Sequence, residues 1–206
     1  GGLGVWDPLC YRHFKGLCMI IYLHGFGSSA QASKARALRT YCEAHHIAYI
    51  APSLPSIPDL AIQTLSELIE AFQAYEPVYL IGSSLGGYYA LYLSDKYQLK
   101  AVLINPAIDA ATTLEKAIGK AINYYDHSSF EWNQSHVEML ENYEIEEPDV
   151  SNLFVLLQTG DEVLDYEEAF DILQGAKIIV EEGGNHSFVG IEHQFKAIMS
   201  FLRVKD

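Results

Sequence analysis

The sequence is short of cysteine, of basic residues and of long apolar runs. Its 206 residues include three cysteines, Cys10, Cys18 and Cys42. An odd number without metal-ligand spacing excludes a disulfide scaffold and suits a reducing compartment. Lys and Arg number 13 against 27 Asp and Glu, a formal charge of −14. Such a chain repels phosphates, which excludes non-specific nucleic-acid binding and argues against an anionic membrane surface. No run approaches the ~20 apolar residues of a membrane helix. The first eighteen residues lack the basic start, apolar middle and small-residue cleavage site of a secretory signal. No Walker-type loop, dinucleotide fingerprint or metal-ligand cluster occurs. Disorder is excluded as well, since apolar residues make up 50% and Gly (15) and Pro (7) are ordinary in number.

What remains is a length that suits one domain. A chain of this size buries roughly 70% of its unfolded surface, so it needs no staples. Residues 1–18 have no periodicity, whereas Met19 opens the clean apolar run "MIIYLHG". Met19 is therefore expected to be the natural start, with 1–18 a leader added in cloning or an upstream extension, and 19–206 the single folded domain.

Short apolar runs alternate with helical patterns. Strands are expected at 19–23, 47–51, 78–81, 101–104, 153–158 and 177–181. Helices are expected at 31–45, 59–74, 85–95, 165–174 and 190–203. Ala35, Leu38 and Cys42 share one face of the first helix. Leu65, Leu68, Ile69 and Phe72 make the stripe of the second, with Asp59 as its N-cap. Strands apolar on both faces and alternating with helices imply an α/β fold, a doubly wound, mostly parallel sheet covered on both sides. Functional loops then lie at the carboxyl ends of the strands.

Residues 108–150 break the rhythm. They are rich in aromatics (Tyr124, Tyr125, Phe130, Trp132, Tyr143) and acids. A long insertion in a compact domain is usually functional, so a helical cap over the active site is expected here. The alternative is an excursion packed on the sheet edge.

The strand at 78–81 runs into Gly82-Ser83-Ser84-Leu85-Gly86-Gly87, and a helix follows. This is G-x-S-x-G in the strand–turn–helix setting that makes the motif meaningful. The central serine of so sharp a turn is strained. Residues two before and two after it crowd one space, which hydrogen side chains at Gly82 and Gly86 relieve. Ser84 is thus the candidate nucleophile. Ser83 is the competitor, without symmetric glycines.

A serine hydroxyl needs a base to take its proton. Of eight histidines, His186 alone follows the last strand in a short glycine-rich loop, at the sheet edge that carries the elbow. His45, His46, His127, His136 and His193 are expected in solvent, and His24 is expected to hold its own loop in shape. The base needs an acid to fix its tautomer. Asp161 is the first acid after strand 153–158; Glu162 and Asp165 are rivals, with helix capping as their other role. The chain order Ser84, Asp161, His186 is that of α/β-hydrolases. Oxyanion donors are expected from the amides of Leu85 and Phe26. This chemistry needs no cofactor.

The motifs "IYLHGFGSS", "IGSSLGGYYALYLS", "INPA", "LLQTGDEVLDY" and "EGGNHSF" resemble those of the YqiA family of small bacterial α/β-hydrolase esterases, from about Met19 to the C-terminus. The resemblance implies a cytoplasmic serine esterase acting on short acyl esters, and on acyl-CoA thioesters as a further class. It implies Ser84 as nucleophile, Asp161 as acid and His186 as base. One charge feature stands beside it: Lys34, Arg36 and Arg39 fall close together in an acidic chain. Either they are a solvated helix face, or Lys34 and Arg36 bind an anionic leaving group such as a CoA phosphate. Other reactions on the same apparatus (C–C bond hydrolysis, peptide cleavage, acyl transfer) and a non-catalytic ligand-binding protein are the competing readings. The expected partner is a small acyl ester or thioester, with neither nucleic acid nor membrane.

Overall fold

Six short apolar runs pair side by side in one parallel sheet in the computed structural model, which describes residues 18–204. The leader read at 1–18 lies outside the described residues except for Cys18. The strands are β1 (Met19–Leu23), β2 (Ala48–Ile50), β3 (Val78–Ser83), β4 (Ala101–Ile104), β5 (Leu153–Gln158) and β6 (Lys177–Glu181), in the order β2-β1-β3-β4-β5-β6. The chain steps from β1 outward to β2, returns to β3 on the other side of β1, and then walks outward to β6. That reversal at β1 makes the sheet doubly wound and opens a crevice at the carboxyl ends of β1 and β3.

The helices are α1 (Ser33–Ala44), α2 (Pro58–Gln73), α3 (Leu85–Tyr97), α4 (Ala110–Glu115), α5 (Gln134–Glu141), α6 (Tyr166–Ile172) and α7 (Phe195–Leu202). Alternation along the strands splits the core in two. Ile20 and Tyr22 of β1 pack with Leu38 and Cys42 of α1 and Ile198 of α7. Ile21 and Leu23 face the other way, toward Leu65 and Ile69 of α2 and Leu93 of α3. Among the described residues no helix is long and apolar enough to cross a membrane.

Two local readings need correction. Asp59 does not cap α2. Pro58, whose missing N–H costs nothing in the first turn, starts the helix one residue earlier with Ile57 at the cap, and the Asp59 carboxylate accepts the Tyr143 hydroxyl instead. The helix expected at 190–203 is a 3-10 turn at Ile191–Gln194 followed by α7. His193 N–H bonds back to Gly190 O, three residues away, which tightens that entry.

Residues 108–150 contain α4, α5 and an isolated bridge between Ile122 and Ser129. The segment is tied down by Tyr88 Oη donating to Leu140 O and by Trp132 Nε1 donating to Leu114 O. It also reaches the loop after β1, where Tyr124 N–H donates to Gly27 O at 2.8 Å.

Candidate active site

Every strand from β1 to β6 except β2 delivers one piece of the site at its carboxyl end. Ser84 follows β3 directly, at φ 57 and ψ −121. Positive φ is costly for a residue with a side chain, so the turn must be over-determined by its surroundings. It is: a Cβ at Gly82 would stand 2.2 Å from Gly86 O, and one at Gly86 would stand 2.0 Å from Leu23 O. Only hydrogen fits at either place, and the two glycines let α3 start hard against β1. Ser84 N–H donates to Ile104 O at 3.1 Å, which ties the turn to β4. Ser83 is buried, at 4% exposure.

His186, in the loop after β6, places Nε2 at 2.9 Å from Ser84 Oγ. Its Nδ1 lies 3.0 and 2.9 Å from Asp161 Oδ1 and Oδ2. Three side chains far apart in sequence thus form one hydrogen-bonded line. The Asp161 side chain is 2% exposed and that of His186 20%. Burial pushes the Asp161 carboxyl up. The bonds from His186 and from the Leu164 and Val163 amides outweigh that and hold it below its ordinary value. Such a line can pass the hydroxyl proton to the ring while the carboxylate steadies the resulting cation.

The rival acids have other partners. Glu162 Oε2 accepts the His186 backbone N–H at 3.0 Å, and Asp165 caps α6 by accepting Glu167 N–H at 3.0 Å. The loop after β1 leans on the serine, since a Cβ at Gly25 would come within 3.2 Å of Ser84 Cβ. Its Phe26 ring packs edge-on against Trp132 and Phe130, with centroids 4.9 and 5.3 Å apart. Among the described residues no protein acceptor takes the amide of Phe26 or of Leu85. Both residues line a cavity of about 480 Å³ together with Ser84 and His186.

The model of an uncharacterised protein family, UPF0227, matches residues 19–203. The chain belongs to UPF0227. This is also the YqiA family that its motifs resemble. A UPF0227 protein of Vibrio cholerae serotype O1 (strain ATCC 39315 / El Tor Inaba N16961) is 26% identical over 186 residues, 89% of this chain and 98% of that protein. Among solved structures, alpha/beta hydrolase domain-containing protein 10 from mouse aligns with a TM-score of 0.73 at 17% identity, covering 90% of this chain and 89% of that one. Est1E from Butyrivibrio proteoclasticus with ferulic acid bound aligns at 0.72 and 14% identity, covering 92% and 89%. At such identities the likeness is one of fold, and this UPF0227 chain has the α/β-hydrolase fold.

Two polar residues that the sequence did not flag hold the histidine loop of this UPF0227 chain. Asn105, after β4, is 2% exposed and adopts φ 40. Its Nδ2 donates to Asn185 O and His186 O, both at 3.1 Å, and its Oδ1 accepts Gln158 N–H at 3.1 Å. Gln158 in turn accepts the Asn185 and Val189 amides through Oε1, at 3.1 and 2.9 Å. An asparagine before a proline at a strand end was the available signal, because asparagine tolerates the left-handed region. Replacing Asn105 with alanine leaves the buried Gln158 N–H and the part-buried Asn185 and His186 carbonyls without this partner and keeps the strained backbone. We expect a loss of about 2–4 kcal/mol, read by denaturant unfolding.

His24 behaves as its position implied. Its Nδ1 donates to Gly25 O at 2.8 Å and its Nε2 accepts Leu54 N–H at 2.7 Å, so both nitrogens are used by the neutral ring. Burial pulls its pKa down, against a smaller opposing effect of the Gly25 carbonyl. The unfolded chain therefore takes up this proton first as pH falls below the ordinary histidine value of about 6.5, and stability is lost in that window. The stability lost between about pH 7 and 5 should be smaller in His24→Asn than in the parent, as read by thermal unfolding at each pH.

His136, expected in solvent, is 9% exposed. It closes a capping box with Asn133 and stacks on Trp132. The two basic candidates separate. Lys34 lines the cavity and donates to Ser187 O at 2.9 Å, while burial lowers its pKa. Arg36 is exposed and is not among the wall residues. Among the described residues no group of three or more His, Cys, Asp or Glu is placed to hold a metal.

Proposed function

We propose that this chain is a serine hydrolase that cleaves short-chain carboxylic esters, and acyl-CoA thioesters by the same steps, through an acyl-enzyme. The observation that carries this reading is the unbroken line Ser84–His186–Asp161, with Ser84 and His186 in the wall of a cavity. Ser84 Oγ attacks the acyl carbonyl carbon as His186 Nε2 takes its proton. The carbonyl oxygen becomes an oxyanion, which accepts from the amides of Phe26 and Leu85 at the positive end of α3. The bond to the alcohol or thiol then breaks, and His186 returns the proton to the departing oxygen or sulfur. Water, deprotonated by the same ring, cleaves the acyl-enzyme and frees the acid and Ser84.

Residues 108–150 serve as the cap in this reading. Thr113, Leu114, Ala117, Ala121, Ile122 and Tyr124 supply wall to the cavity. A smaller cavity of about 150 Å³ shares Phe26 and Leu85 with it and has Leu54, Tyr89 and Phe130 in its wall. That size suits a short acyl chain. Free, buried Cys18 and Cys42 fit a cytoplasmic setting. The test is a fluorophosphonate probe together with 4-nitrophenyl esters graded in acyl length. One covalent label per chain and faster turnover of acetate and butyrate than of laurate and palmitate are expected. No label and no turnover of any ester would sink the reading.

A further inference from the structure

We infer that the cavity over Ser84 takes an ester that itself carries an anionic oxygen group, a carboxylate or a phosphate, bound by Lys34, Lys116 and Lys120. This deepens the ester-hydrolase reading and rests on it. Acids outnumber bases 27 to 13 in the chain, yet the cavity wall contains these three lysines and neither Asp nor Glu. The balance of the whole molecule is reversed at the one place where substrate must enter.

The lysines come from separate parts of the fold. Lys34 lies in the first turn of α1, beside the loop that carries His186, as its bond to Ser187 O shows. Lys116 is the C-cap of α4, and Lys120 follows four residues on, after the turn that passes through Gly119 at φ 75, within the 108–150 segment. Both are exposed, and among the described residues no carboxylate pairs with either. Several cations elsewhere rest on aromatic rings instead: Arg39 over Tyr49, Lys96 over Tyr97, Lys100 over Phe201 and Lys177 over Phe154. Ammonium groups with no carboxylate partner at the wall of a largely apolar cavity direct its field and raise the local concentration of anions. The body of the cavity between them is apolar, with Leu114, Ala117 and Leu164 in its wall. The occupant is therefore amphipathic: an apolar body near Ser84 and a charged end among the lysines.

The test compares four esters: phenyl butyrate, its ring-carboxylate analogue, its ring-phosphate analogue, and phenyl hydrogen adipate. The first is neutral. The next two carry the anion on the alcohol side, and the last carries it on the acyl side. At low salt kcat/KM for at least one anionic ester should exceed that of phenyl butyrate by about tenfold. That ratio should shrink as ionic strength rises. In Lys116→Gln/Lys120→Gln, and separately in Lys34→Met, it should fall toward one. Unchanged thermal melting will show that the variants fold. Which anionic ester leads tells carboxylate from phosphate and places the charged end on the acyl or the alcohol side. Phenyl butyrate hydrolysis without any anionic preference, or a preference that survives the lysine substitutions, overturns this inference and leaves the ester-hydrolase reading standing. Absence of turnover on all four, with no fluorophosphonate label, overturns both.

Discussion

Replacing Ser84 with alanine is expected to lower turnover of any ester by about five to six orders of magnitude, because in the proposed mechanism Ser84 Oγ carries the acyl group. The fluorophosphonate label should vanish in the same variant. The fold should not change. The strain at φ 57 is set by Gly82, Gly86 and the bond from Ser84 N–H to Ile104 O, and none of these involves the hydroxyl. An unaltered melting curve with lost labelling separates a missing nucleophile from a collapsed elbow. Ser83→Ala gives the contrast. Its buried side chain bonds to Tyr22, and His186 Nε2 meets Ser84 instead, so the label should persist. A labelled Ser84→Ala protein would move the nucleophile elsewhere and dissolve the assignment.

The line of three side chains was legible because each belongs to a backbone event visible in one dimension. Ser84 sits where an apolar run meets paired glycines. Asp161 is the first acid after the buried strand β5, and His186 follows β6 in a loop with Gly183 and Gly184. Once the strands are parallel and doubly wound, their carboxyl ends must share a rim, so three separate punctuation marks become neighbours. The fold was legible for the same reason, with helix starts as the weak point. At α2 an acid near the start reads as a cap, yet Pro58 fixes the boundary and Asp59 serves Tyr143 instead.

What escaped the sequence depends on partners chosen only after folding. Asn105 and Gln158 look like ordinary strand-end amides; their significance is that the His186 loop presents bare backbone to them. His136 looks like a surface ring, yet it stacks on Trp132 from the same irregular segment. Lys116 and Lys120 lie in a stretch without periodicity, so no face could be assigned. Arg36 was read with Lys34 because they are two apart in sequence. On a helix two residues of that spacing point to different sides, and only Lys34 reaches the cavity.

Asp161→Asn is expected to reduce kcat by about 10⁴-fold while leaving the loop intact. The size of the effect depends on which ring nitrogen of His186 holds the proton. With a carboxylate at 2.9 and 3.0 Å, Nδ1 must be the N–H, which leaves the Nε2 lone pair facing Ser84 Oγ at 2.9 Å. An asparagine carbonyl can still accept the Val163 and Leu164 amides that Asp161 Oδ1 accepts now. Its NH2 group then points at Nδ1 and favours the other tautomer, in which Nε2 carries a proton and cannot take one from serine. The carboxylate that would stabilise the imidazolium is lost at the same moment. The bonds that hold Asp161 below its ordinary pKa despite burial keep it ionised at neutral pH, so the parent chain retains this support there. Glu162→Gln tests the rival. Glu162 accepts only the His186 backbone N–H among these groups, and a glutamine oxygen can do the same. Its kcat should therefore stay within about tenfold of the parent, as for a lost or weakened single hydrogen bond. If Glu162→Gln proved the more damaging of the two, the acid would have been assigned to the wrong neighbour.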